Sequence, residues 1–332
     1  PIVFDDDFNG CDLDPVWTVV DPYGDGGTAA LVNAYTDSAA VAISVPGGSE
    51  HEIWNGFLGA THILQPSPNI DFVLETKFDS NLPHVFDQEG ILIKQDDTTW
   101  IRAEFFRDSL GLLSVAVDRG PNLATHSEYL PNGVEGPLWM RLERSGNYFT
   151  QSWSSDGVTW NLAGTPFAYD MTVTATGLFA GNRGANPQAH TVLVDYISSA
   201  YGPPAGEDVD TNPLTVSVVG GGLVQRALDL PSYACAQVET LTAVDQPGWA
   251  FSGWSGDVSG TQNPIAVTVD PGTTVTATFV AVPTWNLDLT LVGTGVVTLD
   301  PPGGVYNTGT VVTLAAVDQP GWAFSGWSGD LT

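Results

Sequence analysis

The sequence DQEGILIKQDDTTWIRAEFF at residues 87–106 decides the fold that we expect for the first part of this chain. It contains an apolar run, a polar turn at 95–99 and a second apolar run, which is the pattern of an antiparallel hairpin. Because side chains alternate along a strand, Trp100, Arg102 and Glu104 face one side while the intervening apolar residues face a core. The hairpin therefore predicts a two-faced sheet.

The polar face of this hairpin is the first candidate binding surface. An aromatic ring beside a guanidinium and a carboxylate can stack on a flat ligand and hydrogen-bond its edge, which is how proteins often hold sugars. We expect Trp100, Arg102 and Glu104 to face water and bind carbohydrate, with Trp139 and Arg141 as a second row. The alternative is that both rows are cross-strand pairs that serve packing alone.

The composition favours a β-rich protein with several domains. The chain has 332 residues, including 37 Gly, 23 Pro and many Thr and Val, and few long stretches lack Gly or Pro. This length predicts two or three domains, each large enough to bury a core. We expect an almost all-β protein.

The charge restricts the classes of partner. The chain has 38 Asp and Glu against 9 Lys and Arg, a formal net charge of −29. Such a surface repels phosphate backbones and anionic lipid headgroups, so we expect no nucleic-acid partner. No apolar run approaches 18 residues, so we expect no membrane insertion. Calcium is a more natural companion of so many carboxylates.

The two cysteines do not by themselves identify the cellular compartment of the protein, and the first residue bears on processing of the chain. Cys11 and Cys235 are the two cysteines of the chain. They could form one bridge between two domains, or they could be two free thiols, and the sequence leaves both alternatives open. The chain begins at Pro1 without Met or a signal peptide, so we expect a processed product.

Strand-like runs recur along the first 200 residues with turn signals between them. Ser145-Gly146 and Asp156-Gly157 close successive hairpins, which predicts three consecutive antiparallel strands. This spacing is typical of a sandwich or jelly roll. The predicted strands are 39–45, 72–78, 90–94, 100–106, 112–118, 138–143, 148–154, 177–180 and 191–198.

Motifs for metal or catalytic chemistry are sparse. Five carboxylates follow the first apolar run and could bind calcium, although a solvated acidic turn is the alternative; they are Asp5, Asp6, Asp7, Asp12 and Asp14. The histidines show no zinc-binding spacing; they are His51, His62, His84, His126 and His190. The sequence also contains no Gly-x-Ser-x-Gly elbow and no phosphate-binding loop.

A break rich in Pro, Gly and acid at 201–213 predicts a domain boundary. Within it, Asp208, Asp210 and Asn212 have the alternate spacing of a calcium loop but lack its downstream Gly and Glu, so we expect a polar linker.

Two tandem modules follow the linker. Residues 214–257 align without a gap on 287–330, at an offset of 73 residues, and VDQPGWAFSGWSGD occurs at both 244–257 and 317–330. Such self-similarity indicates repeated modules, which we place at 214–282 and 283–332. Alternating runs such as 215–218, 274–279 and 287–291 predict strands.

The order of motifs in residues 1–200 resembles the concanavalin A-like lectin and glucanase superfamily. The motifs are DQEGILI, TTWIRAEFF, WMRLERSGNYFTQSWSSDGVTW, GLFAG and TVLVDYISS. The closest similarity is to the non-catalytic sandwiches appended to family 43 glycoside hydrolases. The resemblance implies a two-sheet jelly roll and a structural calcium, with Asp5, Asp7 and Asp195 as ligands.

The same resemblance raises the possibility of a hydrolase. The chain lacks the Glu-x-Asp-x-x-Glu strand of the family 16 enzymes. An acid and base pair is conceivable among five carboxylates near the candidate surface; they are Glu75, Asp79, Asp87, Glu89 and Glu104. With 38 acidic residues such a set also arises by chance.

The ending FSGWSGD is similar to repeats of the internalin B-repeat family, small β-rich modules of bacterial surface and secreted proteins. We expect the repeated aromatic residues to pack in module cores; they are Trp249, Phe251, Trp254, Trp322, Phe324 and Trp327. The second copy lacks a counterpart of residues 260–282. Either the native chain continues beyond Thr332, or another molecule supplies the strands.

Three hypotheses follow. The first is a non-catalytic extracellular or cell-surface protein whose lectin-like sandwich binds a polysaccharide or surface glycan, with the repeats as a stalk. The second is a subunit of an extracellular filament or sheath that self-associates through the terminal repeat. The third is a glycoside hydrolase or an accessory domain of one.

Overall fold

The computed structural model describes residues 4–36, 38–53, 58–119, 124–204 and 211–330, with all their side chains except those of 116–119 and 124–126. Across these ranges the regular elements are strands, and the described residues contain no helix that could cross a membrane. The predicted all-β fold is confirmed. Asp208 and Asp210 of the predicted linker lie outside the described residues.

Two compact units make up the chain, Pro1–Thr211 and Asn212–Thr332. We call them the sandwich unit and the repeat unit. The sandwich unit contains β1 (Thr18–Val20), β2 (Thr28–Val32), β3 (Ala40–Val45), β4 (Thr61–Pro66), β5 (Phe72–Phe78), β6 (Gln88–Lys94), β7 (Trp100–Arg107), β8 (Leu112–Arg119), β9 (Ala124–Tyr129), β10 (Leu138–Ser145), β11 (Tyr148–Ser154), β12 (Asn161–Leu162), β13 (Phe167–Ala168), β14 (Ala175–Gly181) and β15 (His190–Ser198).

These strands form two antiparallel sheets. The first sheet has the order β1-β4-β14-β6-β7-β8-β9, and the second has the order β12-β11-β10-β5-β15-β3-β2, with β13 beside β11. Neighbours that are distant in sequence, such as β4 and β14, give the crossovers of a jelly roll. The sheets pack face to face, since the rings of Phe78 in the second sheet and Phe105 in the first lie 5.9 Å apart.

The alternation read from the sequence sets which residues enter the core between the sheets. In the first sheet Ile91 and Ala103 are paired and fully buried. In the second sheet Met140 and Leu142 are fully buried, whereas Trp139 and Arg141 lie on the opposite face. Burying such apolar side chains stabilises the fold by about 1.5–3 kcal/mol each. The predicted strands and the meander at 138–162 are therefore confirmed.

The repeat unit contains β16 (Thr215–Val219), β17 (Leu223–Arg226), β18 (Gln237–Val244), β19 (Trp249–Gly256), β20 (Ile265–Val269), β21 (Thr274–Ala281), β22 (Thr284–Asn286), β23 (Val296–Asp300), β24 (Val305–Asn307) and β25 (Thr313–Val317). Repeat 1, residues 214–282, forms two three-stranded sheets, β16-β21-β19 and β17-β18-β20. Repeat 2, residues 283–330, forms two two-stranded pairs, β22-β24 and β23-β25.

One strand prediction in repeat 2 is wrong. Residues 287–291 are not a strand, although the corresponding segment of repeat 1 is β16. In repeat 1 this strand is held by parallel pairing with β21. Residues 287–330 contain no segment that corresponds to β21, so the alternation at 287–291 has no partner strand to fix it.

Candidate functional site

The first predicted surface, the outer face of β7, is buried. Trp100, Arg102 and Glu104 expose 0%, 0% and 1% of their surface, so the prediction that this row faces water is wrong. The alternation itself is right, because the three residues point away from the core between the sheets. What the hairpin could not show is that Ile53 and Leu58, which lie far from it in sequence, pack over this face.

A second apolar cluster therefore covers the row. Ile53 and Leu58 pack with Leu92, Trp100 and Phe179. The cluster also requires a glycine at the centre of the sheet, between Phe179 and Glu104 in the strand register. A Cβ atom on Gly90 would lie 2.1 Å from the Ala103 carbonyl oxygen and 2.8 Å from the Phe179 ring, so a larger residue would disturb the pairing of β6 with β7 as well as the ring.

The buried row carries an unusual charge pair. A guanidinium nitrogen of Arg102 lies 3.2 Å from Glu104 Oε1. Burial raises the pKa of Glu104 to about 7, against the opposing effect of the Arg102 charge. Glu104 Oε2, Trp100 Nε1 and His62 Nε2 have no hydrogen-bond partner among the described residues. This face is a covered polar cluster and not an open platform for a polymer.

The second predicted row lies on the outer face of the second sheet and is partly open. Arg141 in β10 is opposite Glu75 in β5, and its Nε donates to the Glu75 carboxylate at 2.5 Å. The Tyr196 hydroxyl donates to the other oxygen of Glu75 at 2.6 Å. The Glu75 carboxylate is therefore held by donors from β10 and β15, the strands on either side of β5, and it orients the Arg141 guanidinium in turn.

Two aromatic rings flank this guanidinium. Its central carbon lies 3.5 Å from the centroid of the Trp160 ring and 4.7 Å from that of Tyr201. Such contacts are favourable because the cation lies over the negative faces of the rings. Trp160 is half-buried, and Tyr201 is 63% exposed. Arg141, in contact with these two partly exposed rings, forms the centre of this surface.

A second cation–ring pair extends the surface. Lys77 Nζ lies 5.7 Å from the centroid of the half-buried Trp139 ring. Lys77 also contacts Asp79 at 3.0 Å and Asp195 at 2.7 Å. We call the whole surface the Arg141 patch, and its members are Glu75, Lys77, Trp139, Arg141, Trp160 and Tyr201.

The sequence predicted Trp139 and Arg141 of this patch but missed the rings beside them. The Asp156-Gly157 turn returns the chain alongside β11, and that signal could have placed Trp160 near Arg141. Tyr201 follows β15 and approaches the patch from a distant part of the sequence. No local pattern predicts such a contact.

Each of the three expected calcium ligands, Asp5, Asp7 and Asp195, has a partner within the chain. Asp6 pairs with Ile197 through two backbone hydrogen bonds, which brings the first residues beside β15 as the resemblance implied. However, Asp5 accepts the Ser199 amide at 2.6 Å, and Asp195 is paired with the Lys77 ammonium. The described residues hold no group of three His, Cys, Asp or Glu side chains placed for a metal. The donor set does not fit calcium because a lysine already neutralises Asp195.

Three of the carboxylates proposed for hydrolysis lie in different parts of the sandwich unit. Glu75 lies on the outer face of the second sheet, and Glu104 lies on the outer face of the first. Glu89 is sealed in the interior, where burial raises its pKa to about 8 despite the hydrogen bond from the Ser80 hydroxyl. A hydrolytic pair needs two carboxylates on either side of one substrate bond.

Two family models match the chain. Residues 55–201 match the family described as a protein of unknown function, DUF1349. Residues 212–283 and 286–332 match the divergent InlB B-repeat domain, so the second resemblance is supported by both copies of the repeat. No curated protein matches the sequence significantly.

Solved structures are similar in fold at low identity. A functionally unknown protein from Saccharomyces cerevisiae is 14% identical with a TM-score of 0.43, over 56% of this chain and 98% of the yeast chain. The GH43 protein BlXynB from Bacillus licheniformis is 16% identical with a TM-score of 0.46, over 58% of this chain and 38% of that one. A GH16 protein from Bacteroides ovatus is 13% identical with a TM-score of 0.42, over 59% and 98%. At this level of similarity no activity is transferred.

Proposed function

We propose that this protein is a non-catalytic adhesive protein of the cell exterior that binds a neutral glycan through the Arg141 patch. The observation that carries the proposal is the pair of partly exposed rings, Trp160 and Tyr201, that both contact the Arg141 guanidinium. Aromatic faces stack on the apolar faces of sugar rings, while fixed polar groups beside them bond the hydroxyls.

Contacts among its own side chains hold the patch together before any ligand arrives. Arg141 is bound to Glu75, Glu75 is bound to Tyr196, and the rings lie against the guanidinium. A surface whose side chains are already held in place loses less conformational entropy on binding, which is one of the costs of association. Trp139, held by Lys77, offers a further ring for an extended chain.

The charge selects the class of glycan. A net charge of −29 repels uronic acids and sulfated polymers over long distances. The cations in the patch, Lys77 and Arg141, are already paired with carboxylates, so they offer little net positive charge to attract an acidic glycan. A neutral polysaccharide is therefore the better ligand, and calcium is not required for binding it.

The location outside the cell rests on the repeats and the cysteines. The divergent InlB B-repeat matched by the repeat unit is named after a surface-protein module. Neither Cys11 nor Cys235 is a free thiol, which fits an oxidising compartment. In this arrangement the repeats act as a spacer and the sandwich unit makes the contact.

An array of neutral and acidic glycans, probed with the full chain, tests the proposal. We expect binding to neutral polymers that is unchanged by EDTA. Trp160→Ala removes one ring and should weaken binding about tenfold, or about 1.4 kcal/mol. Trp285→Ala is the matched control, because Trp285 is 68% exposed and lies in the repeat unit.

The proposal fails in either of two cases. One is the absence of any glycan signal above background with or without calcium. The other is a Trp160→Ala protein that binds as well as the original chain.

A further inference from the structure

The apolar core of repeat 1 contains no residue of repeat 2. Among the described residues, every member of the cluster around Trp254 and Phe279 lies between 214 and 279. The predicted core packing of the repeated aromatic residues holds for Trp254, which is 4% exposed. It is wrong for Trp322 and Phe324, which are 54% and 48% exposed. The junction between the two repeats therefore does not depend on a shared apolar core.

The strand pair that begins repeat 2 has the same form as its counterpart in repeat 1. β22 pairs with β24, and Trp285 is opposite Tyr306 in this pair. At the offset of 73 residues these positions correspond to Asn212 and Tyr233, where the Tyr233 amide donates to the Asn212 carbonyl at 3.0 Å. This part of repeat 2 is therefore built as in repeat 1.

Asn307, the last residue of β24, contacts a turn of repeat 1. Its Oδ1 accepts the Gly248 amide at 2.6 Å. Its Nδ2 donates to the Trp249 carbonyl at 2.7 Å and to the Gln246 carbonyl at 3.3 Å. One side chain thus bonds one donor and two acceptors of the turn DQPGW at 245–249. An amide group fits this backbone because it both donates and accepts, whereas a carboxylate only accepts.

The turn and the connection between the repeats are also bonded to each other. Residues 282–283 are the whole connection from β21 to β22. The Val282 amide donates to the Gly248 carbonyl at 2.9 Å, and the Pro283 carbonyl accepts the Thr308 amide at 2.9 Å. Gly248 has a φ of +86°, which favours glycine at this position. Both residues of the connection are therefore held from one side or the other.

The two repeats differ in sequence at the position of Asn307. Ala234, which is exposed, corresponds to it in repeat 1. Repeat 1 follows the linker, and no DQPGW sequence precedes it, whereas repeat 2 follows the turn at 245–249. The asparagine therefore occurs in the repeat that has such a turn before it, and alanine occurs in the repeat that has none.

We propose that Asn307 fixes the orientation of repeat 2 relative to repeat 1, so that the repeat unit is a stiff element and not two modules on a flexible joint. A short connection limits the distance between two modules, but it does not by itself stop rotation about its own bonds. The three bonds of Asn307 add a second point of attachment. They join neutral groups, so the orientation should not depend on salt despite the net charge of −29. This role is separate from glycan binding by the sandwich unit, and either proposal can fail without the other.

Spin labels on the two repeats of the full chain test the proposal. Val238→Cys in β18 and Val296→Cys in β23 place the labels at positions that are 52% and 47% exposed. The native cysteines do not take the label, because neither is a free thiol. Double electron–electron resonance then gives the distribution of distances between the labels. We expect one narrow distribution at low and high salt, and Asn307→Ala should widen it about twofold because the connection can then rotate.

Asn263→Ala is the matched control, because Asn263 makes the same kind of bonds inside repeat 1. Its Oδ1 accepts the Ala243 amide and its Nδ2 donates to the Ala243 carbonyl, both at 2.8 Å. This variant should leave the distribution narrow. Asn307→Asp keeps the acceptor for the Gly248 amide but loses the donor, so it should give an intermediate width. A broad distribution in the original chain, or a narrow one in Asn307→Ala, overturns the proposal.

Amide exchange measured by NMR separates orientation from folding. In Asn307→Ala the Gly248 amide should exchange about tenfold faster, because it loses its acceptor. The Trp254 amide, which donates to Gly260 within repeat 1, should exchange as before. Unchanged exchange at Gly248 overturns the proposal. Faster exchange at Trp254 also overturns it, since Asn307 would then support the fold of repeat 1 and not the junction.

Discussion

Residues 244–257 and 317–330 have the same sequence and different structures. In repeat 1 this stretch contains β19, which pairs with β21. In repeat 2 it contains no strand. Both copies keep the same local turn: the Phe251 amide donates to Asp245 and the Phe324 amide to Asp318, each at 2.7 Å. The comparison separates what a short sequence encodes by itself from what a distant partner strand must add.

The short sequence by itself determines a polar turn and a pair of contacting aromatic rings, which both copies share. Asp, Gln, Pro and Gly form the turn in both copies, and the two rings that follow meet at the same distance. The non-local part is the ladder of hydrogen bonds, because a strand is defined by its neighbour. The aromatic residues alone do not produce β19.

Amide hydrogen exchange gives the largest expected contrast between the two copies. The Trp254 amide donates to Gly260 at 2.7 Å, and the Trp327 amide has no such strand partner in the described chain. We expect Trp254 to exchange about 1000-fold more slowly, or about 4 kcal/mol in opening free energy. NMR is the suitable measurement, because peptides from identical stretches have identical masses. The Phe251 and Phe324 amides, bonded alike, should differ much less.

Adding a central strand should remove this contrast. A copy of residues 260–282 attached after Thr332 restores the register of repeat 1, because residues 258–259 correspond to 331–332. The Trp327 amide should then approach the protection of Trp254. The same extension with Asp in place of the buried residues Val275, Ala277 and Phe279 of β21 is the control, and it should add no protection to the Trp327 amide. Equal protection of both amides in the original chain would show that pairing with a central strand does not explain the difference between the two copies.

The tryptophans themselves give the second contrast. Trp254 is 4% exposed and its Nε1 donates to the Gln262 carbonyl at 2.9 Å. Trp254→Ala should cost about 3–5 kcal/mol in unfolding free energy, as for other buried aromatic residues. Trp327→Ala should cost about 1 kcal/mol, since Trp327 is half-buried. Urea unfolding of the full chain checks both values, with exchange of the β18 amides reporting on Trp254→Ala and exchange of the β25 amides reporting on Trp327→Ala.

The same division between local and distant contacts explains what the sequence could predict. Alternation at 100–106 correctly assigned each side chain to a face of β7. It could not show that Ile53 and Leu58, from a segment far away in sequence, bury the polar face. Arg141 was found because its strand alternates, whereas Tyr201 beside it was not. The pattern within one strand predicts which face of the sheet each side chain points to. Whether that side chain is exposed depends on which distant residues pack over the face.

The smallest contrast concerns one acidic residue that repeat 2 lacks. Glu239 in β18 is fully buried, and Val312 stands at the corresponding position of repeat 2. Its carboxylate accepts the Tyr233 hydroxyl at 2.6 Å and the amides of Ala227 and Asp229 at 2.9 and 3.1 Å. Burial alone would raise the pKa of Glu239, but these donors outweigh it and lower the pKa below its ordinary value.

This lowered pKa predicts an acid sensitivity that belongs to repeat 1. The ionised carboxylate stabilises the fold above the pKa of an unfolded Glu, and that stability is lost as the pH falls through the lower folded pKa. Glu239→Gln should cost about 2 kcal/mol at neutral pH, as for hydrogen bonds to a charged group, and the cost should shrink towards pH 3. Val312→Thr, a change at the matching site, should alter stability by less than about 0.5 kcal/mol at every pH. Unfolding by urea at pH 3, 5 and 7 measures both proteins, and a Glu239→Gln cost that is independent of pH would show that the carboxylate is not ionised in the folded repeat.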